Sequence, residues 1–119
     1  MTKAPWCSVT ATVEVIGGRW KPTILFQLKD QPRRFNELRR LVPGITQRML
    51  TLQLRALERD GIVTRTVHNA VPPHVDYAFT KKGWTLGPIL DAMEVWGHKN
   101  RPRAPEKSQL EPQSGQRAR

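Results

Sequence analysis

A mainly helical domain closed by a small β-hairpin is the fold class the sequence predicts, and three observations carry it. Apolar residues recur at helical spacing in four segments between Cys7 and Arg59. Two short alternating runs rich in β-branched residues follow, Ile62 to Val67 and Val75 to Phe79. A last helical stretch then precedes a tail dominated by Pro, Gln, Ser and charge. At 119 residues the chain supports one domain with a small core.

The elements follow in order. Residues 1–6 read as an arm, and residues 7–100 as the folded domain. From Cys7 to Ile16, apolar Val9, Val13 and Ile16 predict a short first helix that Gly17-Gly18 ends. Pro22 suits the first turn of a second helix, whose core face is Ile24, Leu25 and Leu28. Asp30-Gln31-Pro32 breaks the chain, and a short extended piece runs through Arg33-Arg34-Phe35. Asn36 is a good N-cap for a third helix carrying Leu38 and Leu41. After the Pro43-Gly44 turn, Thr46 caps a fourth helix that ends before Gly61. The two strands join through a projecting tip from Asn69 to His74. Thr80 caps the last helical region, with Pro88 near its start or kinking it and Leu86, Ile89, Leu90, Met93 and Trp96 at helical spacing. Residues 101–119 are expected to be a disordered basic tail. Helices, hairpin and closing helix together describe a winged helix-turn-helix.

The fourth helix is the most informative segment. At about 100° per residue, Leu50, Leu54 and Leu57 fall on one side. Arg48, Thr51, Leu52, Arg55 and Arg59 fall on the other, within an arc of about 100°. Such a face on the second helix of a helix-turn-helix suits the DNA major groove. Arg48 can donate a bidentate pair to guanine, and Gln47 in the first turn can pair with adenine. Thr51 and Leu52 can touch thymine methyls, and Thr51 alternatively a phosphate. Arg34, Arg39, Arg55 and Arg59 are phosphate anchors by chemistry, with Thr46 at the helix start beside them. On the wing, His74, Arg65, His68 or Asn69 can approach a phosphate. Two histidines without a neighbouring Cys or carboxylate cluster make a weak metal site, so no metal or cofactor is expected.

The charge agrees with this picture. The chain carries a net +10, and residues 33–59 hold seven arginines against two glutamates, a net +5. A polyanionic partner, double-stranded DNA above all, is implied. No apolar run reaches the ~18 residues that span a bilayer, and the N-terminus lacks a signal-peptide core. A single cysteine fits a reducing cytoplasm. No carboxylate pair, nucleophile–base motif or phosphate-cradling glycine loop argues for an enzyme. A sequence-neutral nucleic-acid binder and a regulator that senses a small aromatic ligand without a thiol switch are the competing classes.

Several motifs in order resemble the HxlR-type bacterial transcriptional regulators. They are Cys7, Ile16-Gly17-Gly18-Arg19-Trp20-Lys21, Arg34-Phe35-Asn36-Glu37-Leu38, Ile45-Thr46-Gln47-Arg48-Met49-Leu50-Thr51 and Leu54-Arg55-Ala56-Leu57-Glu58. Gly61-Ile62-Val63, Val71-Pro72-Pro73-His74-Val75-Asp76-Tyr77 and Thr80-Lys81-Lys82-Gly83 continue the match, which covers residues 6–97. The resemblance implies a homodimer that binds an inverted repeat near promoters, and a repressor is the kind of regulator expected. It also implies that some members sense oxidants or electrophiles through the cysteine before the first helix, a position Cys7 matches. Three departures stand out: Ser8 where the family often has proline, His68 where the wing often has an aromatic residue, and His74 where it often has arginine.

Two further expectations complete the reading. Cys7 lies near a helix N-terminus in a basic protein, and both features favour the thiolate; the alternative is an inert packed thiol. The N- and C-terminal helices are expected to form the dimer interface through Val9, Val13, Leu86, Ile89, Leu90, Met93 and Trp96. A dimer lets two recognition helices reach half-sites about 34 Å apart.

Overall fold

The computed structural model describes residues 7–101. The element order is α1 (Ser8–Ile16), α2 (Lys21–Leu28), β1 (Arg33–Arg34), α3 (Phe35–Leu41), α4 (Gln47–Arg59), β2 (Val63–His68), β3 (His74–Phe79), α5 (Lys81–Trp84) and α6 (Gly87–Asn100). The chain divides into two compact units at Gly87/Pro88. The first holds α1 to α5 and the sheet; the second holds most of α6. The expected arm at 1–6 and all but Arg101 of the expected tail lie outside the described residues.

The sheet has three strands in the order β1-β3-β2, all antiparallel. The extended piece at Arg33–Arg34 is therefore a strand, with Arg33 opposite Tyr77 and Arg34 opposite Asp76. The hairpin is set one residue later at the end of β2 and one earlier at the start of β3 than the sequence implies. His68 faces His74 across the last rung, so His74 opens a strand instead of sitting in the tip.

The core of the first unit is built from α2 (Ile24, Leu25, Leu28), Leu38 of α3, the inner face of α4 and the sheet residues Val63, Tyr77 and Phe79, all buried. Val42 and Ile45 are buried at either side of the Pro43-Gly44 turn. Gly44 has φ +86°, a left-handed conformation that a side chain would strain. The turn thus reverses the chain between α3 and α4 while both flanking apolar residues anchor it.

The start of α3 differs from expectation. Asn36 is not its N-cap: the cap position belongs to Arg34, whose extended backbone also serves β1. The Glu37 carboxylate accepts from the Arg34 backbone N–H at 3.2 Å and from Arg33 Nη1 at 3.1 Å. Arg33 also donates through Nε to the Gln27 carbonyl at 2.9 Å, tying the end of α2 to α3. The Arg34 N–H bond chiefly, aided by the Arg33 guanidinium, holds the Glu37 carboxyl below the usual glutamate range. A depressed folded-state pKa adds stability that is complete above the unfolded value of about 4.3 and lost as pH falls through the folded one. Glu37→Ala is accordingly expected to cost about 0.5–1 kcal/mol near neutrality. Urea midpoints of the two proteins should converge in acid; a gap independent of pH would contradict the assignment.

Thr46 and Thr80 cap as expected, accepting from Met49 N and Gly83 N at 3.0 Å each. The last helical region is two helices: a turn at Thr85–Leu86 separates α5 from α6, and Pro88 sits in the first turn of α6. Gly83 is a close-approach glycine, since a Cβ there would collide with the Ile62 carbonyl oxygen. The Thr80-Lys81-Lys82-Gly83 motif thereby docks α5 on the end of α4's following loop, where Thr80 Oγ1 also donates to the Gly61 carbonyl at 2.6 Å.

Candidate nucleic-acid interface

The helical period decides what α4 hides and what it shows. Leu50, Leu54 and Leu57 are buried at 0%, 1% and 0% exposure. Gln47, Arg48, Leu52, Arg55 and Arg59 are exposed, with Leu52 half accessible. Among the described residues, Arg39, Arg48, Arg55 and Arg59 make no salt bridge. Their guanidinium donors are therefore open to phosphate or base edges.

Thr46 and Thr51 carry additional constraints. The Thr46 hydroxyl oxygen is engaged as the helix cap. Thr51 Oγ1 donates back to the Gln47 carbonyl at 2.9 Å. The proton of Thr51 is thus used inside the helix, which leaves its methyl group as the part suited to a thymine.

The same face continues onto α3 and the wing. Arg34 and Arg39 are exposed. An open cleft of about 650 Å³ runs between the start of α3 and the wing root, lined by Arg34, Asn36, Arg40, Pro72, Pro73 and His74 among others. A second depression is lined by Asn36, Arg39, Arg40 and Ile45. Arg40 and Asn36 are additions to the sequence-based set. Arg40 was visible as half of the Arg39-Arg40 pair, and Asn36 becomes available because it does not cap the helix.

His74 is less free than expected. Its ring stacks on His68 with centroids 4.5 Å apart, and its Nε2 lies 3.8 Å from Asp76 Oδ1. His68 Nε2 approaches Asp76 Oδ2 at 3.0 Å. Asp76 thus supplies a carboxylate to the histidine pair, which the sequence reading lacked because only the strand register brings it there.

Cys7 is exposed and is the N-cap residue of α1. Its carbonyl accepts from Ala11 N at 3.0 Å. The backbone N–H groups of Thr10 and then Val9, at the open first turn, lower the thiol pKa. Its sulfur closes no capping hydrogen bond, so these groups act as aimed dipoles. Alkylation by iodoacetamide should follow a pH curve whose midpoint lies lower in the folded protein than in urea. Coincident midpoints would remove the case for an activated thiol.

The residues expected at a dimer interface separate into two kinds. Leu86 and Leu90 are buried within the chain and belong to no exposed face. Val9 and Val13 of α1 are exposed, as are Ile89, Met93 and Trp96 of α6. No helix among the described residues is long and apolar enough to cross a membrane.

Comparison with known proteins agrees with this geometry. The family model described as HxlR-like helix-turn-helix matches residues 15–105. The HTH-type transcriptional regulator YdeP of Bacillus subtilis is 53% identical over 97 residues, covering 82% of this chain and 76% of the relative. The solved structure of the redox regulator HypR in its oxidised form superposes with a TM-score of 0.77 at 54% identity, covering 81% of this chain and 99% of that one. The reduced form of the transcriptional regulator YodB from B. subtilis gives a TM-score of 0.70 at 31% identity, covering 85% and 100%. YdeP and YodB are named as transcriptional regulators, and HypR as a redox regulator. The chain belongs to the HxlR-like helix-turn-helix family and is a transcriptional regulator of the helix-turn-helix type.

Proposed function

We propose that the protein is a homodimeric repressor that reads an inverted-repeat operator and is controlled by oxidation or electrophile modification of Cys7. The observation that carries the DNA reading is the division of α4: three leucines buried on one side, Gln47, Arg48, Leu52 and Arg55 exposed on the other. Gln47 and Arg48 in the first turn read bases, Leu52 and the Thr51 methyl contact thymine, and Arg34, Arg39, Arg55 and Arg59 hold phosphates. His74 and the arginine-lined cleft beside the wing extend the backbone contact. Work on DNA implies the cytoplasm.

Specificity from one such helix is small, so two copies are needed. The exposed apolar residues Ile89, Met93 and Trp96 of α6, and Val9 and Val13 of α1, are the surfaces that would pair. Sedimentation is expected to show a dimer at micromolar concentration, and a monomer there would reject this part.

The redox arm rests on Cys7's exposure and lowered pKa and on likeness to regulators described as redox-responsive. With one cysteine per chain, a protein-only disulfide joins two chains: two thiols lose two protons and two electrons to the oxidant. Diamide should change the DNA affinity of the wild type and leave Cys7→Ser unaffected. Equal responses in both would sink the thiol switch. For the DNA reading, footprinting on the DNA flanking the protein's own gene should reveal two protected half-sites about 34 Å apart.

A further inference from the structure

The strand register gathers three metal-ligand side chains on one face of the wing. His68 and His74 are direct partners across β2 and β3, and Asp76 follows His74 by two residues. Side chains two apart on a strand share a face, so all three stand together. Tyr77 and Phe79 mark the opposite, buried face of β3. The three residues are only half-buried, with side chains 41%, 22% and 30% exposed in that order.

Both imidazoles present Nε2 to the one carboxylate, at 3.0 Å and 3.8 Å. One ligand atom from each residue lies within 4.8 Å of the other two. A tetrahedral ion with bonds of 2.0–2.1 Å holds its ligand atoms about 3.3 Å apart. His68 approaches Oδ2 and His74 approaches Oδ1, and rotation of the Asp76 carboxylate and of the two stacked surface imidazoles brings one oxygen and both nitrogens to that spacing. Two groups share the face: Thr66 opposite Asp76 on β2, and Arg34 opposite it on β1. Among the described residues Arg34 makes no ion pair with Asp76, so both carboxylate oxygens remain turned to the histidines.

We propose that His68, His74 and Asp76 bind one divalent transition-metal ion of the Zn²⁺ class. Two imidazoles and a carboxylate are a donor set for Zn²⁺, Co²⁺, Ni²⁺ and Cu²⁺ and a poor one for Mg²⁺ or Ca²⁺. Three protein ligands leave the remaining position to water. A divalent ion held by two imidazoles and one carboxylate carries a net +1, and it cross-links the two strands next to the tip. The site lies on the wing and not on α4, and it shares His74 with the proposed backbone contact, so metal binding is measured on the protein without DNA.

The test uses the Cys7→Ser full chain without a histidine tag, so that neither thiolate nor tag contributes. Titration with Co²⁺ is followed by its visible d–d bands, and Zn²⁺ is then added in competition. One ion per chain is expected, with no sulfur-to-metal charge-transfer band and with displacement by Zn²⁺. His68→Ala and His74→Ala should each weaken binding by about tenfold or more, whereas His98→Ala, which removes the third histidine of the chain, should not. In the unsubstituted imidazole set, Zn²⁺ should shift the ring proton resonances of His68 and His74 and leave those of His98 in place. Absence of binding at millimolar metal, or binding indifferent to both His68→Ala and His74→Ala, would overturn the proposal. So would Zn²⁺-induced shifts confined to His98.

Discussion

Leu54→Ala is expected to lower the stability of the domain by about 2–5 kcal/mol, the cost of a cavity at a site that cannot collapse. Leu54 is 1% exposed and lies between Leu50 and Leu57, which are 0% exposed. All three sit on the inner face of one helix, so truncating the central residue leaves its neighbours facing a void. The gain in helix propensity from alanine is a few tenths of a kcal/mol and does not offset this. Small domains hold a total of about 5–15 kcal/mol, so the variant should be partly unfolded at modest urea. Leu52, two residues earlier on the same helix, is 50% exposed. Leu52→Ala should shift the urea midpoint little, while weakening DNA binding at a thymine. Equal midpoint shifts for the two would mean that the facing of α4 is wrong.

Arg48→Ala should cost about 1–3 kcal/mol of binding free energy at one base pair in each half-site, through loss of a bidentate contact to guanine. Arg48 is exposed in the first turn of α4 and has no salt-bridge partner among the described residues. Its removal leaves the fold unstrained. Arg59, in the last turn, should behave differently. Arg59→Ala ought to weaken all sequences alike and reduce the slope of log affinity against log salt by about one. The pair separates base reading from phosphate anchoring. Should Arg48→Ala leave base preference intact, the reading role belongs to another side chain, with Gln47 next in position.

The parts of this fold that depend on local chemistry were readable in the sequence. The 3.6-residue period fixed both faces of α4, and the hydroxyls of Thr46 and Thr80 announced two helix starts by themselves. Features that depend on distant partners were not. Arg33–Arg34 read as an extended piece, but its status as a strand comes from Tyr77 and Asp76, more than forty positions away. That pairing holds Arg34 extended and hands the cap position of α3 to it, displacing Asn36. The Arg33–Glu37–Gln27 bonding escaped for the same reason.

The candidate site shows the same division. Exposed arginines on α4 were deduced from the period, whereas the His68–His74–Asp76 grouping needed the register of β2 against β3. A hairpin longer at its tip by one rung converts His74 from a loop residue into a strand residue aimed at Asp76. Leu86 and Leu90 show a further limit: helical spacing identifies an apolar stripe but cannot say whether it meets the chain's own core or another molecule.

The central claim, that α4 reads sequence, is tested most directly by anisotropy titration of one footprinted half-site pair against a scrambled duplex of equal length at the same salt. The expected result is at least about 10³-fold tighter binding to the protected site. Equal affinities with an equally steep salt dependence would contradict it and leave a sequence-neutral polycation in its place.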